Sequence, residues 1–352
     1  MQIKLSFNPK DRYQPQPERN NPRERRRNVP TSPIRDLEKP RLRKQPVLPE
    51  HGRIQAEPPK LGGWRKIELL LGEFDELVGL YDIKEVLKEI AAFVEIQKQR
   101  EQEGLATEPM TLHMLFKGSP GTGKTTVARL VGKLFKELGV LSKGHLIEVD
   151  RADLVGEYIG HTAQKTKDQL KKAAGGILFV DEAYSLGRGG EKDFGKEATD
   201  IMVKYMEDLR DDLIVILAGY THEMDAFMAS NPGLKSRFPI QLEFPDYTVM
   251  ELVAIGKLML KKRQYWLEDE ALEELERILR RAILQGHNRS GNARLVRNLI
   301  ERAIRRQAVR LVKQPWVSRE DLMMITKADL ISDSALIKIT ELETVIEQSQ
   351  TI

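Results

Sequence analysis

Gly118-Ser119-Pro120-Gly121-Thr122-Gly123-Lys124-Thr125 fits G-x-x-x-x-G-K-[ST], the pattern of a loop that cradles a chain of phosphates. The pattern carries weight only between a strand and a helix. Thr111-Leu112-His113-Met114-Leu115-Phe116 reads as the strand. Thr126 to Leu138 repeats apolar residues at helical spacing, and Gly139 stands where a C-terminal glycine cap belongs. Glycines let the main chain close around an anion with its N–H groups inward, and the helix N-terminus adds partial positive charge. Lys124 would bring an ammonium to the β- and γ-phosphates, and the Thr125 hydroxyl would ligate Mg²⁺. Gly118 to Thr125, with Thr126, form the candidate ATP-binding set.

Asp181 lies 57 residues beyond Lys124. It ends the run Ile177-Leu178-Phe179-Val180-Asp181-Glu182, which suits a strand buried on both faces of a parallel sheet. The C-terminal ends of such strands are where open α/β sheets bind ligands. Asp181 would hold Mg²⁺, and Glu182 would orient and polarise the attacking water that hydrolysis needs beyond mere binding. Gly144 to Val149, Leu213 to Gly219 and Ile240 to Phe244 read as further strands, separated by helical spacing through Lys172 and over Lys196 to Leu209. The alternation predicts an α/β fold, a doubly wound parallel sheet.

Beyond Pro245-Asp246 the pattern turns helical. Thr248 with Glu251 reads as a capping box opening a helix to about 264. A second helix is expected over about 268–285, stopped by Gly286. A third is expected over about 292–312, with Leu295, Val296, Leu299, Ile300, Ala303, Ile304 and Val309 on its buried face. A small strand and turn are expected within 314–335. The domains expected are an arm at 1–63, an α/β domain at 64–244, a helical lid at 245–335 and a tail at 336–352.

Upstream, residues 1–60 hold eleven of the 17 prolines, and 15 Lys/Arg against 7 Asp/Glu. This segment cannot bury enough apolar surface to offset its ordering entropy and reads as disordered. Its +8 leaves −4 for the rest of a chain whose net charge is +4, so the basic character belongs to the arm. The arm suits either a solvated tether or contact with an acidic partner, nucleic acid included. Folded structure is expected from about Trp64, with a loop over Glu73–Leu80 and a helix over Tyr81–Arg100. That helix presents Ile83, Val86, Leu87, Ile90, Phe93 and Val94. Val78-Gly79 in the loop suits either contact with a nucleotide base or plain packing. The absence of cysteine excludes disulfides and thiolate chemistry. The six scattered histidines give a zinc site no support. No apolar run approaches membrane-spanning length and no signal-peptide pattern opens the chain, so a cytoplasmic protein is expected.

The order of phosphate loop, Asp-Glu strand, Ser236-Arg237-Phe238, helical lid and Gly291-Asn292-Ala293-Arg294 resembles the AAA+ ATPases. Asp153 to Ala163, Val180 to Tyr184, Leu217 to Tyr220, Asn231 to Leu234 and Phe244 to Tyr247 are similar to the CbxX/CfxQ family, the red-type Rubisco-activase group. The likeness covers about residues 65–330. Gly144 to Gln164 and Gly190 to Glu197 resemble members from spore-forming bacteria in particular, which implies a role in sporulation. The resemblance implies a homo-oligomer, a hexameric ring that hydrolyses ATP with Mg²⁺ to remodel a protein client. It makes Arg237 the arginine finger reaching a neighbour's nucleotide and Arg294 the lid arginine that senses the γ-phosphate. It places Tyr158-Ile159-Gly160 at the central pore and Val78-Gly79 at adenine. The strand-end polar residue common in AAA+ proteins has only Thr221 as a candidate. A Rubisco-activase-like remodeller, a scaffold that binds ATP but barely turns it over (against which Glu182 argues) and, from the arm alone, a nucleic-acid motor are the competing readings.

Overall fold

The computed structural model describes residues 62–331, apart from 109, 159, 189–193 and 287–290. The readings of the arm and of the tail lie outside these residues. Five strands form one sheet: β1 (Met114–Gly118), β2 (Leu146–Val149), β3 (Gly176–Val180), β4 (Leu213–Gly219) and β5 (Ile240–Phe244). Their order is β2-β3-β4-β1-β5 and every pairing is parallel, as the alternation of strands and helices predicts.

Burial follows position in the sheet. β1, β3 and β4 are buried at every residue, because helices cover both faces. The edge strand β5 alternates, with Ile240, Leu242 and Phe244 inside and Gln241 and Glu243 outside. Alternate residues of the central strands point to opposite faces and split the core in two. Met114, Phe116, Ile177, Phe179, Ile214 and Ile216 face one cluster, completed by α1 (Gly62–Asp75), α2 (Tyr81–Gln102) and α3 (Lys124–Glu137). Leu115, Leu178, Val180, Val215 and Leu217 face the other. That second face is covered by α4 (Arg151–Leu154), α5 (His161–Ala173), α6 (Gly195–Asp208), α7 (Thr221–Ser230) and α8 (Pro232–Arg237). Gly139, at φ +65, ends α3. Its N–H donates to the Lys136 carbonyl, while that of Val140 donates to Phe135, so the last carbonyls are satisfied by a left-handed cap.

The C-terminal part is helical: α9 (Val249–Lys262), α10 (Asp269–Leu284), α11 (Asn292–Val312), α12 (Arg319–Met323) and α13 (Lys327–Leu330). The expected capping box is formed, with Thr248 and Glu251 bonding each other's backbone N–H. A short parallel pair, β6 (Trp266–Leu267) with β7 (Met324–Ile325), links the connection between α9 and α10 to the segment before α13. Arg310 clasps the buried Asp329 through both Nε and a terminal nitrogen, at 3.0 and 2.9 Å.

Several expectations change. The first strand runs 114–118 rather than 111–116, so it includes Lys117, whose side chain is only 8% exposed. A lysine is tolerated there because Asp225 and Glu243 each lie 3.1 Å from its ammonium. Residues 73–75 close helix α1 instead of opening a loop, and the helix α7 has no counterpart in the sequence reading. Phe93 and Val309 are 41% and 59% exposed. Lys84 and Gln307 are buried on these helices instead, the Lys84 ammonium bonding the Leu77 carbonyl and the Gln307 amide the carbonyls of Asp321, Leu322 and Met324. No helix among the described residues is long and apolar enough to cross a membrane.

His113, just before β1, is buried. Its Nδ1 accepts from the Val215 N–H at 3.1 Å and the ring also bonds the backbone of Met206. Burial pushes its pKa from 6.5 down to about 4, against the Met206 bond and aided by nearby Arg237. The folded state therefore holds His113 neutral while the unfolded state protonates it. The stability this supplies is complete above pH 6.5 and is lost as pH falls towards 4, a loss of up to about 3 kcal/mol. Denaturant titrations across that window should show the decline, and His113→Asn should flatten it.

Candidate nucleotide-binding site

Parallel strands put all their C-terminal ends on one edge of the sheet. β1 ends there at Gly118 and β3 at Val180, with β4 between them. Two strand spacings of about 4.8 Å separate the loop after β1 from Asp181-Glu182. The loop holds its shape through glycines in left-handed or related backbone, with φ +154 at Gly118, +73 at Gly121 and +99 at Gly123. Their hydrogens also face close neighbours. A Cβ on Gly118 would lie 2.3 Å from the Phe244 carbonyl oxygen, and one on Gly121 2.4 Å from that of Gly291. The Thr122 hydroxyl fastens the turn by donating to the Ser119 carbonyl at 2.8 Å.

Lys124 opens α3, and its ammonium donates to the carbonyls of Gly118 and Ser119 at 2.8 and 2.9 Å. Burial lowers its pKa. Asp181 opposes that shift, Arg294 adds to it, and Glu182 and Asp246 oppose it. These four charges thus share one electrostatic neighbourhood with the lysine. Asp181 Oδ1 accepts from the Glu182 N–H at 3.0 Å. Glu182 sits at φ +46, a left-handed conformation costing a non-glycine residue roughly 1–2 kcal/mol. It turns the chain out of β3 into the short 3₁₀ helix Ala183–Gly187. The buried Tyr184 hydroxyl keeps its proton, its pKa raised by burial and then by Glu182, to which it hydrogen-bonds.

Thr125 lies 3.5 Å from Glu148 Oε1, and Glu148 pairs with Arg129 at 3.1 Å. Thr126 is exposed on the first turn of α3. No three metal-ligating side chains gather among the described residues. A hard cation held by Thr125 and Asp181 would complete its oxygen shell with phosphate and water, the habit of Mg²⁺. The donor types fit that ion.

The helical part seats directly on the loop. The Pro120 carbonyl accepts from Asn292 Nδ2 at 3.3 Å, that of Gly121 from the Ala293 N–H at 3.1 Å, and that of Thr122 from the Tyr247 hydroxyl at 2.9 Å. Arg294, two residues into α11, is brought beside Lys124 by the same contact. Gly79, at φ +66, abuts Glu251 and Tyr247, and Gly123 abuts Tyr247 and Leu80. The half-buried Val78 and the buried Gly79 therefore border the same junction.

A cleft of about 750 Å³ runs from Asp181 and Glu182 past Arg151 and Lys165 to Gly156 and Glu157. Beyond it, Tyr158 is 65% exposed, with its ring edge-on to His161, and Gly160 at φ +85 stands in open space. Ile159 lies outside the described residues. Arg237 is not in this neighbourhood. It ends α8 three residues before β5, which pairs in register with β1. It therefore belongs to the opposite edge of the sheet, a strand length of roughly 16 Å away. Its guanidinium pairs with Glu207 and donates to the Gly233 carbonyl, both at 3.1 Å.

The sequence reading missed Tyr247, Asn292, Ala293 and Glu148. For Asn292 the signal lay in its place ahead of Ala293-Arg294, since asparagine tolerates left-handed backbone and stands at φ +37.

A phosphate loop on a parallel sheet, an acidic strand end beside it and a helical lid bonded to its outer surface define a nucleotide-binding α/β protein of the ATPase class. Residues 114–246 match the model of the ATPase family associated with various cellular activities, AAA, and residues 248–337 match the AAA lid domain. The chain is 54% identical to stage V sporulation protein K of Bacillus subtilis (strain 168), over 79% of the chain and 85% of that protein. It is 47% identical to the chloroplastic ribulose bisphosphate carboxylase/oxygenase activase of Cyanidioschyzon merolae, over 76% of the chain and 92% of that protein. A plasmid-encoded CbxX protein of Cupriavidus necator is 46% identical over 76% of the chain and 86% of its own length. The chain belongs to the CbxX/CfxQ family of AAA+ ATPases.

Gly121→Ala tests the seat of the lid. A side chain at φ +73 and 2.4 Å from the Gly291 oxygen should destabilise the nucleotide-free protein by about 2 kcal/mol. It should also abolish any rise of Tm on adding ATP. Thermal melts with and without ATP check both.

Proposed function

We propose that the protein hydrolyses ATP with Mg²⁺ in a six-membered ring of identical subunits and uses the energy to remodel a protein client. One observation carries the reading. Lys124, Asp181, Glu182 and Arg294 converge at one edge of the sheet, while Arg237 stands at the other. On this reading Gly118 to Thr126 bind the phosphates, Lys124 contacts the β- and γ-phosphates, and Val78-Gly79 contact adenine. Thr125 and Asp181 hold Mg²⁺, which when bound neutralises charge on the phosphates. Glu182 orients water, and Arg294 senses the γ-phosphate. Arg237 completes a neighbour's site, an effect of about 10³–10⁵ on rate in other systems.

Tyr158, Ile159 and Gly160 line the pore and grip an extended segment of the client; the exposure of Tyr158 favours this over packing. The identity with stage V sporulation protein K favours a cytoplasmic role in sporulation. A Rubisco-activase-like role is the second reading, favoured by the 47% identity with the Cyanidioschyzon merolae activase. Co-purification of Rubisco from the native host would decide for it. A nucleic-acid motor has only the basic arm in its favour.

ATPase activity per subunit should rise with protein concentration, and Arg237→Ala should lower it by about 10³-fold or more. Turnover independent of concentration that survives this change would remove the shared site. Lys124→Ala should lose ATP binding while the nucleotide-free Tm stays within a few degrees, because the phosphates are its main partner. Calorimetric titration and melting check this.

A further inference from the structure

A peptide loop whose N–H groups point inward must point carbonyls outward, and those oxygens need donors. Here the carbonyls of residues 120–122 are each taken by a group of the lid or of the segment leading into it. The carbonyls of Gly118 and Ser119, by contrast, are taken by the Lys124 ammonium. The two sets of donors thus act on neighbouring oxygens of one loop, with the Thr122 hydroxyl also on that of Ser119. Without the outer set, Lys124 would be the strongest donor within reach, and turning more carbonyls towards it would close the cradle.

Asn292 is built for the outer set. It is fully buried and held at φ +37, a conformation that carries strain. Its Oδ1 accepts the Tyr247 N–H at 3.0 Å, and its Nδ2 donates to Asp246 Oδ1 at 2.8 Å and to the Pro120 carbonyl at 3.3 Å. One amide thereby ties the loop, residues 246–247 and the start of α11. Tyr247 adds a bond through its hydroxyl, while its ring packs at Gly79.

We infer that Asn292 and Tyr247 are positioning residues for nucleotide binding, holding the loop's carbonyls outward so that its N–H groups face the incoming phosphates before they arrive. This rests on the nucleotide site proposed above. It predicts a cost in affinity, shared by ATP and ADP because the di- and triphosphate use the same N–H groups.

The full chain is titrated with fluorescent ATP and ADP analogues, and turnover and nucleotide-free Tm are measured alongside. Asn292→Asp keeps the acceptor for Tyr247 and removes the donor; Tyr247→Phe removes only the hydroxyl. Each should raise Kd for both nucleotides about tenfold, the scale expected when a buried carbonyl loses its donor. Tyr247→Phe should keep kcat at saturating ATP within about twofold. A purely structural role would lower the nucleotide-free Tm and leave Kd alone. Unaltered Kd in Tyr247→Phe overturns the inference, and that variant decides it if Asn292→Asp does not fold. Lys124→Ala in the same assay separates the two failures. If it loses binding while Tyr247→Phe binds normally, the positioning role alone falls. If the unaltered chain binds neither nucleotide, the site and the inference fall together.

Discussion

A peptide unit cannot offer its N–H to a ligand without turning its carbonyl somewhere else. That geometric fact governs the junction between the sheet and the helical lid. The loop after β1 is short, glycine-rich and strongly curved, so its outward carbonyls have no strand or helix to pair with. They are satisfied by Asn292, Ala293 and Tyr247, and the lid takes its place from that requirement. Arg294 comes to lie beside Lys124 because it follows those donors in α11. Gly121 has no side chain because the lid backbone occupies the space.

The charges obey a similar economy. Lys124 is partly withdrawn from water, which disfavours its ammonium, and the carboxylates of Asp181, Glu182 and Asp246 restore part of the balance while Arg294 works against it. A polyphosphate would add negative charge beside both cations. On the proposed function, the site in the nucleotide-free protein is therefore held by makeshift partners, the carbonyls of Gly118 and Ser119, which the phosphates replace.

Much of this was legible in the residues. The loop between β1 and α3 and strands β4 and β5 are where apolar runs and turn signals place them, and Thr248 with Glu251 caps α9 as read. The resemblance to the CbxX/CfxQ family stands with the relatives found. What the sequence hid was mostly long-range pairing. Lys117 looks too polar for a strand until Asp225 and Glu243 are seen beside it. Gln307 looks like a surface residue until three carbonyls of a distant turn converge on it. Phe93 and Val309 fit a helical stripe by spacing, yet face solvent, because spacing cannot tell where a neighbouring element ends. Tyr247 and Asn292 gave no periodic signal, since their task is to satisfy a backbone more than a hundred residues away.

On the proposed function, the separation of Arg237 from the loop after β1 gives each subunit two unlike flanks, one that offers a guanidinium and one that needs it. Molecules of that kind associate head to tail rather than face to face. If the proposed sharing holds, an open string always ends in one subunit whose catalytic centre lacks its complement, and only closure leaves no idle member. Stoichiometry would then set activity in steps: a single missing subunit costs the particle its own centre and silences the one next door.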